Sequence, residues 1–485
     1  MCKTRYRFCP FLGAEVIVVN MSFRSQRVRD PLHNVIDFAA NEFEHAMWQV
    51  IQTRPFQRLR RIKQLGLSEL VYPGATHTRF AHSLGVFHTA RQLMARIRLL
   101  QGDTDFLESR ARMALAAALV HDVGHGPFSH AFEDVGKRMG LKMAKHELVS
   151  DRVIRDSEMS AALNLLGNGF CGNVADIISL GAKDIYCAVV SSQFDADRLD
   201  YMRRDRLMCG TQHGAIDYEW LVSNLEVGDV PVGVDEESSG STPTFVLGPK
   251  AIYAAESYLL GLFQLYPTVY YHKTTRGAEK LFSELLIRVF SLVLDGHSGD
   301  TGLPSGHPLV NFALNPESLE LSQALDDFTF LGALELMALA KDKPISLFAT
   351  RIRDRKLLKA IEVFDDSVLD NAKKSDDKDF LNRIELRLRN NLEGTKDEIT
   401  GYPRCLIDRV KRPLYKQFEE SKGPLNQIMI KPREGPLRDV AEVSPVIKAI
   451  KDFEGLRVYI AQEDTHVPKK VREAVKEAIQ YARTS

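Results

Sequence analysis

Apolar and polar positions alternate along most of this chain at three- and four-residue intervals. The spacing predicts amphipathic helices from Phe43 to Lys63 and from Arg79 to Leu100. The segments 108–122, 127–140, 145–167, 183–208 and 251–293 repeat it, and a further helical stretch is expected around 316–362. One segment departs from the pattern. "LEVGDVPVGVDEESSGSTPTFVLG" alternates valine with polar residues on either side of an acidic, Ser/Gly-rich tip, which predicts a β-hairpin inserted near 224–248. Beyond residue 300 the periodicity is interrupted by "GDTGLPSGHP". The charged run "DDSVLDNAKKSDDKDFLNRIELRLRN" reads as a solvated helical face or loop, "LRVYIA" as a strand and 467–481 as a closing helix. The expected fold class is therefore mainly α, a helical bundle with a small inserted β-hairpin and a mixed α/β C-terminal portion. Three parts are expected: an N-terminal extension over 1–21, a core over 22–300, and a helical and α/β region over 301–485.

Composition narrows the partners. Lys plus Arg equal Asp plus Glu at 64 each, so no global basic field points to nucleic acid and any anion site must be local. The six cysteines form no CxxC pair in 485 residues, which predicts reduced thiols. No apolar run reaches the roughly 18 residues of a membrane span, so no membrane partner is expected and the location is read as cytoplasmic.

The chemistry concentrates in "LVHDVGHGPFSH", Leu119 to His130. The preceding "MALAAALV" has no polar side chain and reads as a buried helix, yet His121 and Asp122 follow it directly. A carboxylate at the edge of a core needs a partner, because burying it alone costs several kcal/mol, roughly. A metal ion is one such partner. Upstream, Arg79 and His82 are three residues apart and share a helical face; downstream, Asp197, Tyr201 and Asp205 form a stripe at four-residue steps. Taken singly, a polar stripe faces water and a histidine at a helix end is a satisfied structural residue as readily as a ligand.

Their order along the chain carries more. His82, His121 with Asp122, and Asp197 give an H…HD…D pattern that resembles the HD phosphohydrolase superfamily. The blocks "DPLHNVIDF", "RPFQRLRRIKQLG", "HTRFAHSLGVFHTA", "HDVGHGPFSHAFE", "KHE", "DADRLDYMRRD" and "VYYHKTTRGAEK" are similar, in order, to its deoxynucleoside triphosphate triphosphohydrolase branch, from about Asp30 to Lys280. The resemblance implies an HD-domain helical bundle in which His82, His121, Asp122 and Asp197 hold one divalent metal ion. Imidazole and carboxylate are compatible with manganese, iron, zinc, magnesium or nickel. It implies that His125, Glu133 and His146 support proton transfer and that His130 contacts the nucleotide. Arg79 and Arg198 would meet phosphate oxygens, Gln64 and Leu65 the sugar, and Tyr201 with Asp205 the sugar or phosphate edge. Tyr270 would pack on the deoxyribose and exclude a 2′-hydroxyl. A homodimer or homotetramer and an allosteric nucleotide are further implications.

The chain departs from the branch at three positions. Where the branch commonly has an arginine two turns before the "VY" pair, this chain has Leu262, which weakens the case for a triphosphate in particular. Glu133 stands where relatives carry aspartate. Gln52 replaces an acid found in guanine-activated members, so such activation is not implied. Two alternatives stay open: a phosphohydrolase of nucleoside monophosphates or cyclic nucleotides, and a catalytically idle HD protein that binds nucleotide or nucleic acid as a regulator.

Overall fold

The computed structural model describes residues 23–181, 184–232, 240–365, 367–369, 379–397, 401–412, 415, 427–450 and 452–484. The expected N-terminal extension over 1–21 and the tip of the inserted hairpin lie outside them.

The fold is mainly α. A hairpin of β1 (Gln26–Asp30) and β2 (Asn34–Phe38) precedes α1 (Glu42–Gln52). The bundle around the site comprises α2 (Arg79–Gln101), α3 (Glu108–Val120), α4 (His130–Met139), α5 (His146–Asp156), α6 (Phe170–Leu180), α7 (Ala196–Cys209), α8 (Ile252–Leu265) and α9 (Lys273–Leu294). The expected hairpin is present as antiparallel β3 (Leu225–Val232) and β4 (Gly240–Leu247), and β7 (Met429–Ile430) and β8 (Arg438–Asp439) extend it. After α10 (Asp327–Ala338) and α11 (Lys343–Arg353), a second sheet runs in the order β5 (Lys359–Glu362), β9 (Phe453–Ile460), β6 (Cys405–Arg412) and packs with α12 (Phe380–Leu392) and α13 (Val467–Thr484). The apolar core around α1, α4, α5 and α9 continues unbroken from Ile36 to Leu357, across residue 300.

Several expected helices are shorter, each for a local reason. The stretch 43–63 breaks at Thr53, which is extended before a short turn carrying Pro55. The helix expected over 127–140 starts at His130, because Phe128 and Ser129 sit at φ +52° and +55°. The stretch 145–167 splits where Ser157 caps a new short helix. Within 183–208 the helix begins at Ala196, its first turn capped by Asp195, whose carboxylate accepts the Arg198 N–H at 2.8 Å. Pro267 divides 251–293 by a π turn over Tyr266–Tyr270. The stretch 316–362 holds α10, α11, a short helix and β5. The charged run is not merely a solvated face: Phe380, Ile384, Leu388 and Leu392 recur every fourth residue on α12 and bury against β9 and α13.

No helix among the described residues is long and apolar enough to cross a membrane. Cys171, Cys187, Cys209 and Cys405 form no disulfide.

Candidate metal centre and active site

Three helices bring the expected ligands together. α2 opens at Thr78 and carries His82 into the interior, where the side chain is fully buried. The end of α3 delivers His121 and Asp122, and the first turn of α7 delivers Asp197. Ligand atoms of His82, His121 and Asp122 lie within 4.8 Å of one another. Asp197 Oδ1 adds a second carboxylate, 2.9 Å from His82 Nε2 and 3.6 Å from His121 Nε2.

The tautomers suit a cation. His82 Nδ1 bonds Asp200 Oδ2 at 2.9 Å, and His121 Nδ1 bonds the Ala118 carbonyl at 2.9 Å, which aims both Nε2 atoms at the carboxylates. His121 Nε2 is buried without a hydrogen-bond partner. An orphaned imidazole nitrogen facing two carboxylates fits a divalent metal ion. Burial opposes charge on His82, but hydrogen bonds to Asp197 and Asp200 prevail and push its pKa up to about 10. Holding a metal ion through Nε2 requires this imidazole to give up its Nε2 proton.

Asp200 and Arg204 stand outside the expected set, yet they hold His82. Asp200 is fully buried; its Oδ1 lies 2.7 Å from His33 Nε2, and Arg204 donates to it at 2.7 and 3.0 Å. Asp30, at the end of β1, accepts the Arg204 Nη1 proton at 2.8 Å. Gly85 permits this packing, since a Cβ there would stand 2.1 Å from Asp200 Oδ1. A signal was present in the sequence: "DRLDYMRRD" places Asp200 one turn before Arg204.

A second cluster adjoins the first. His125 Nε2 is 3.2 Å from Asp122 Oδ1, and its ring centroid is 4.0 Å from that of His146. Glu133 bonds His146 Nδ1 with one oxygen and His130 Nδ1 with the other, the latter at 3.1 Å. Burial raises the Glu133 carboxyl, but the hydrogen bonds from His130 and His146 more than reverse this and hold it below the usual range. His125 is lowered as well, but by different causes: burial, then the charges of Arg79 and His146, hold it well below the ordinary imidazole value.

The loop carrying this cluster is clamped. Buried Arg58 donates to the His125 carbonyl at 2.8 Å and to the Leu325 carbonyl. Asp327 accepts the Phe128 N–H at 2.7 Å and the Lys63 N–H at 2.8 Å. These bonds hold Phe128 and Ser129 in positive-φ conformations that cost about 1–3 kcal/mol each. Gly124 is required too: a Cβ would come within 2.3 Å of the Ser150 nitrogen and 2.4 Å of the His146 carbonyl.

The remaining expected residues form a wall beside His82, His121, Asp122 and Asp197. Arg79 pairs with Asp122 and donates to Ser129 Oγ at 2.8 Å. Tyr270 donates to Asp205 Oδ2 at 3.0 Å, and His77 Nε2 contacts the other Asp205 oxygen at 2.8 Å. The Tyr201 and Tyr270 rings meet edge-on at 5.9 Å. Gln64 joins this group through its backbone N–H to the His77 carbonyl, and its Oε1 is buried without a partner. Leu65 packs against the same apolar cluster as Tyr201 and Tyr270. Arg198 bonds Gln193 at 3.0 Å and stands 3.7 Å from Asp195. Leu262 is buried in that cluster and brings no charge.

An HD domain matches residues 79–202, and an HD associated region matches residues 216–294. The uncharacterized protein YwfO of Bacillus subtilis is 31% identical over 338 residues, covering 69% of this chain and 71% of that protein. The chain belongs to the HD-domain family. This HD protein is also 28% identical over 268 residues to the deoxynucleoside triphosphate triphosphohydrolase SAMHD1 homolog of Dictyostelium discoideum, covering 54% of this chain and 49% of that protein. The mouse deoxynucleoside triphosphate triphosphohydrolase SAMHD1 is 28% identical, with 53% of this chain and 43% of that protein covered. The chain thus spans about half the length of these two relatives. A crystal structure of a phosphohydrolase from Bacteroides thetaiotaomicron superposes with a TM-score of 0.68 at 25% identity, covering 90% of this chain and all of that one.

Proposed function

We propose that this HD phosphohydrolase acts on deoxynucleoside triphosphates, releasing the deoxynucleoside and inorganic triphosphate. The observation that carries the reading is the meeting of three groups in one place: the His82, His121, Asp122 and Asp197 set, the His125–Glu133–His146 cluster, and the Tyr270–Asp205 wall. When bound, a divalent ion would activate water and draw charge from the phosphorus under attack. Asp200 orients His82, and the Ala118 carbonyl orients His121. Arg79, beside Asp122, neutralises charge on a phosphoryl oxygen. Glu133 keeps His130 and His146 in position; His130, the most exposed of the group, contacts the nucleotide, and the His125–Glu133–His146 cluster delivers a proton to the departing 5′-oxygen. Tyr270, tied to Asp205, presents a fixed aromatic surface to the sugar and leaves no room for a 2′-hydroxyl.

Sequence similarity to SAMHD1 proteins and the sugar wall of Tyr201, Asp205 and Tyr270 support this substrate class. Buried Leu262 favours a second reading, a phosphohydrolase of nucleoside monophosphates or cyclic nucleotides, because it supplies no grip for outer phosphates at that point. Incubating the protein with each deoxynucleotide and a panel of divalent metals in heavy-oxygen water separates the two. Label in released triphosphate and none in the nucleoside is the expected result; monophosphate plus pyrophosphate, or cleavage of cyclic nucleotides alone, sinks the first reading. The reading includes a homodimer or homotetramer and room for an allosteric nucleotide. Light scattering at assay concentration, with and without nucleotide, reads the assembly, and a persistent monomer contradicts it.

A further inference from the structure

A cavity of about 340 Å³ opens beside the proton-transfer cluster, between α4, α9 and β6. Its inner wall is His130 and Glu133, and Tyr271, the neighbour of Tyr270, forms its side. The volume falls within the range of small-molecule sites, about 300–1,000 Å³. Cations dominate the rest: Lys137 from α4, Arg276 and Lys280 from α9, and Arg409 and Lys411 from β6. The carboxylates that line it, Glu133, Asp134 and Glu279, are fewer, and Glu279 is taken up by Arg276, whose Nη1 donates to it at 2.7 Å.

These cations differ in how firmly they are held. Asp408, 1% exposed behind the wall, accepts from Arg276 at 2.7 and 3.0 Å and lies 3.4 Å from Lys280, so these two are fixed in place. Arg409 Nη1 is buried without a hydrogen-bond partner. Lys411 is 64% exposed with one contact to Glu454 at 3.2 Å, and Lys137 has no ion pair among the described residues. A floor of anchored arginine with lysines at the rim is suited to an anion with several charged oxygens. One more cation of β6, Arg412, donates to Tyr266 at 3.3 Å, and Tyr266 stacks on Tyr271. The C-terminal sheet thus brings positive charge to the site from an element other than α8, which carries Leu262.

We propose that this cavity is an oligophosphate seat that receives the outer phosphates of the nucleotide while the α-phosphate lies at the metal ligands. The inference rests on the triphosphate reading above and replaces the arginine absent at position 262 with residues of a different element.

The test uses the full chain and inorganic tripolyphosphate, which needs no chemistry to be measured. Calorimetry on Lys137→Ala/Lys411→Ala is expected to show affinity weakened about tenfold with the wild-type melting temperature. A control pair on exposed α13, Lys469→Ala/Lys476→Ala, keeps wild-type affinity. In the wild type, tripolyphosphate competes with the deoxynucleoside triphosphate, and the cavity variant raises KM by a similar factor with a smaller change in kcat. Equal affinity of cavity variant and wild type overturns the site, and non-competitive inhibition overturns its assignment to the substrate's own phosphates. Should no deoxynucleoside triphosphate be hydrolysed, the proposed reaction fails, while the calorimetric difference still reports on the cavity.

Discussion

At the scale of single residues, the informative contrast is between groups proposed to bind a cation and groups proposed to move a proton, since both kinds are histidines and carboxylates. Asp200 belongs to the first kind without being a ligand. It fixes the His82 tautomer through a 2.9 Å bond, and outer-shell partners of this type are worth about 10–100-fold in metal affinity. Asp200→Asn is therefore expected to weaken metal binding by that factor in a metal titration; unchanged affinity would remove the positioning role. Glu133 belongs to the second kind. Glu133→Gln keeps the shape but discharges the His130–His146 bridge, so kcat should fall about 10²–10⁴-fold while bound metal stays constant. Loss of metal together with activity would instead make Glu133 a ligand. The order of His82, His121 with Asp122, and Asp197 was legible in the sequence, and the structure brings ligand atoms of His82, His121 and Asp122 within 4.8 Å of one another. The roles of Asp200, Arg204 and Arg58 were not legible: the one-turn spacing of Asp200 and Arg204 was visible, but a buried carboxylate or guanidinium reads like any solvated charge until its partners, such as His33, Asp30 and the His125 carbonyl, are in view.

At the scale of elements, helix periodicity located the bundle but overran its ends, and the overruns fall where chemistry is placed. Phe128 and Ser129 leave the helical region so that α4 starts with His130 facing His125, and the π turn ahead of α9 sets Tyr270 toward Asp205. β1 and β5 are short and, taken together, mostly polar, and β6, though eight residues long, carries charge at Asp408, Arg409, Lys411 and Arg412, so their register became visible only through pairing. Asp327, at the start of α10, ties the strained loop to Lys63. Burial, outweighing the N–H donors of Lys63 and Phe128, pushes its carboxyl up to about 7. The folded state then holds a proton that the unfolded chain releases near its ordinary value of about 4. Between about pH 4 and 7 the folded state binds more protons, so this group's contribution to stability is full below that window and is lost as pH rises through it. Urea denaturation of wild type and Asp327→Asn at pH 5 and pH 8 checks the sign. Loss of one carboxylate oxygen gives the variant a constant offset, but the difference should move in its favour by about 1–3 kcal/mol with rising pH. A pH-independent difference refutes the raised pKa.

At the scale of the whole molecule, the C-terminal sheet is built into the catalytic core. Tyr459 of β9 lies against Gly277, where a Cβ would meet its ring at 2.9 Å, and donates to the Lys273 carbonyl at 2.8 Å. Asp408 of β6 accepts from Arg276 of α9 through both oxygens. A mixed C-terminal region was legible in the sequence but this seam was not, because neither a lone aspartate in "LIDRVK" nor an arginine after "HKTT" points across more than a hundred residues. Removing one partner leaves the other charge enclosed, and such breaks cost about 3 kcal/mol or more, whereas removing both costs far less. Asp408→Ala should therefore lower the urea unfolding free energy by less than that, about 1–3 kcal/mol, because Arg276 is partly exposed and keeps Glu279 at 2.7 Å. Arg276→Ala/Asp408→Ala should recover part of that loss, with a coupling energy of about 1–3 kcal/mol in the double-mutant cycle. Because α9 follows closely on Tyr270, the single variant should also raise KM while the double variant restores cooperative unfolding. Strictly additive losses would mean that the Arg276–Asp408 pair does not couple the sheet to α9, leaving the seam to the Tyr459 contact, the Lys280–Asp408 pair and the Arg457 bond to the Tyr271 carbonyl.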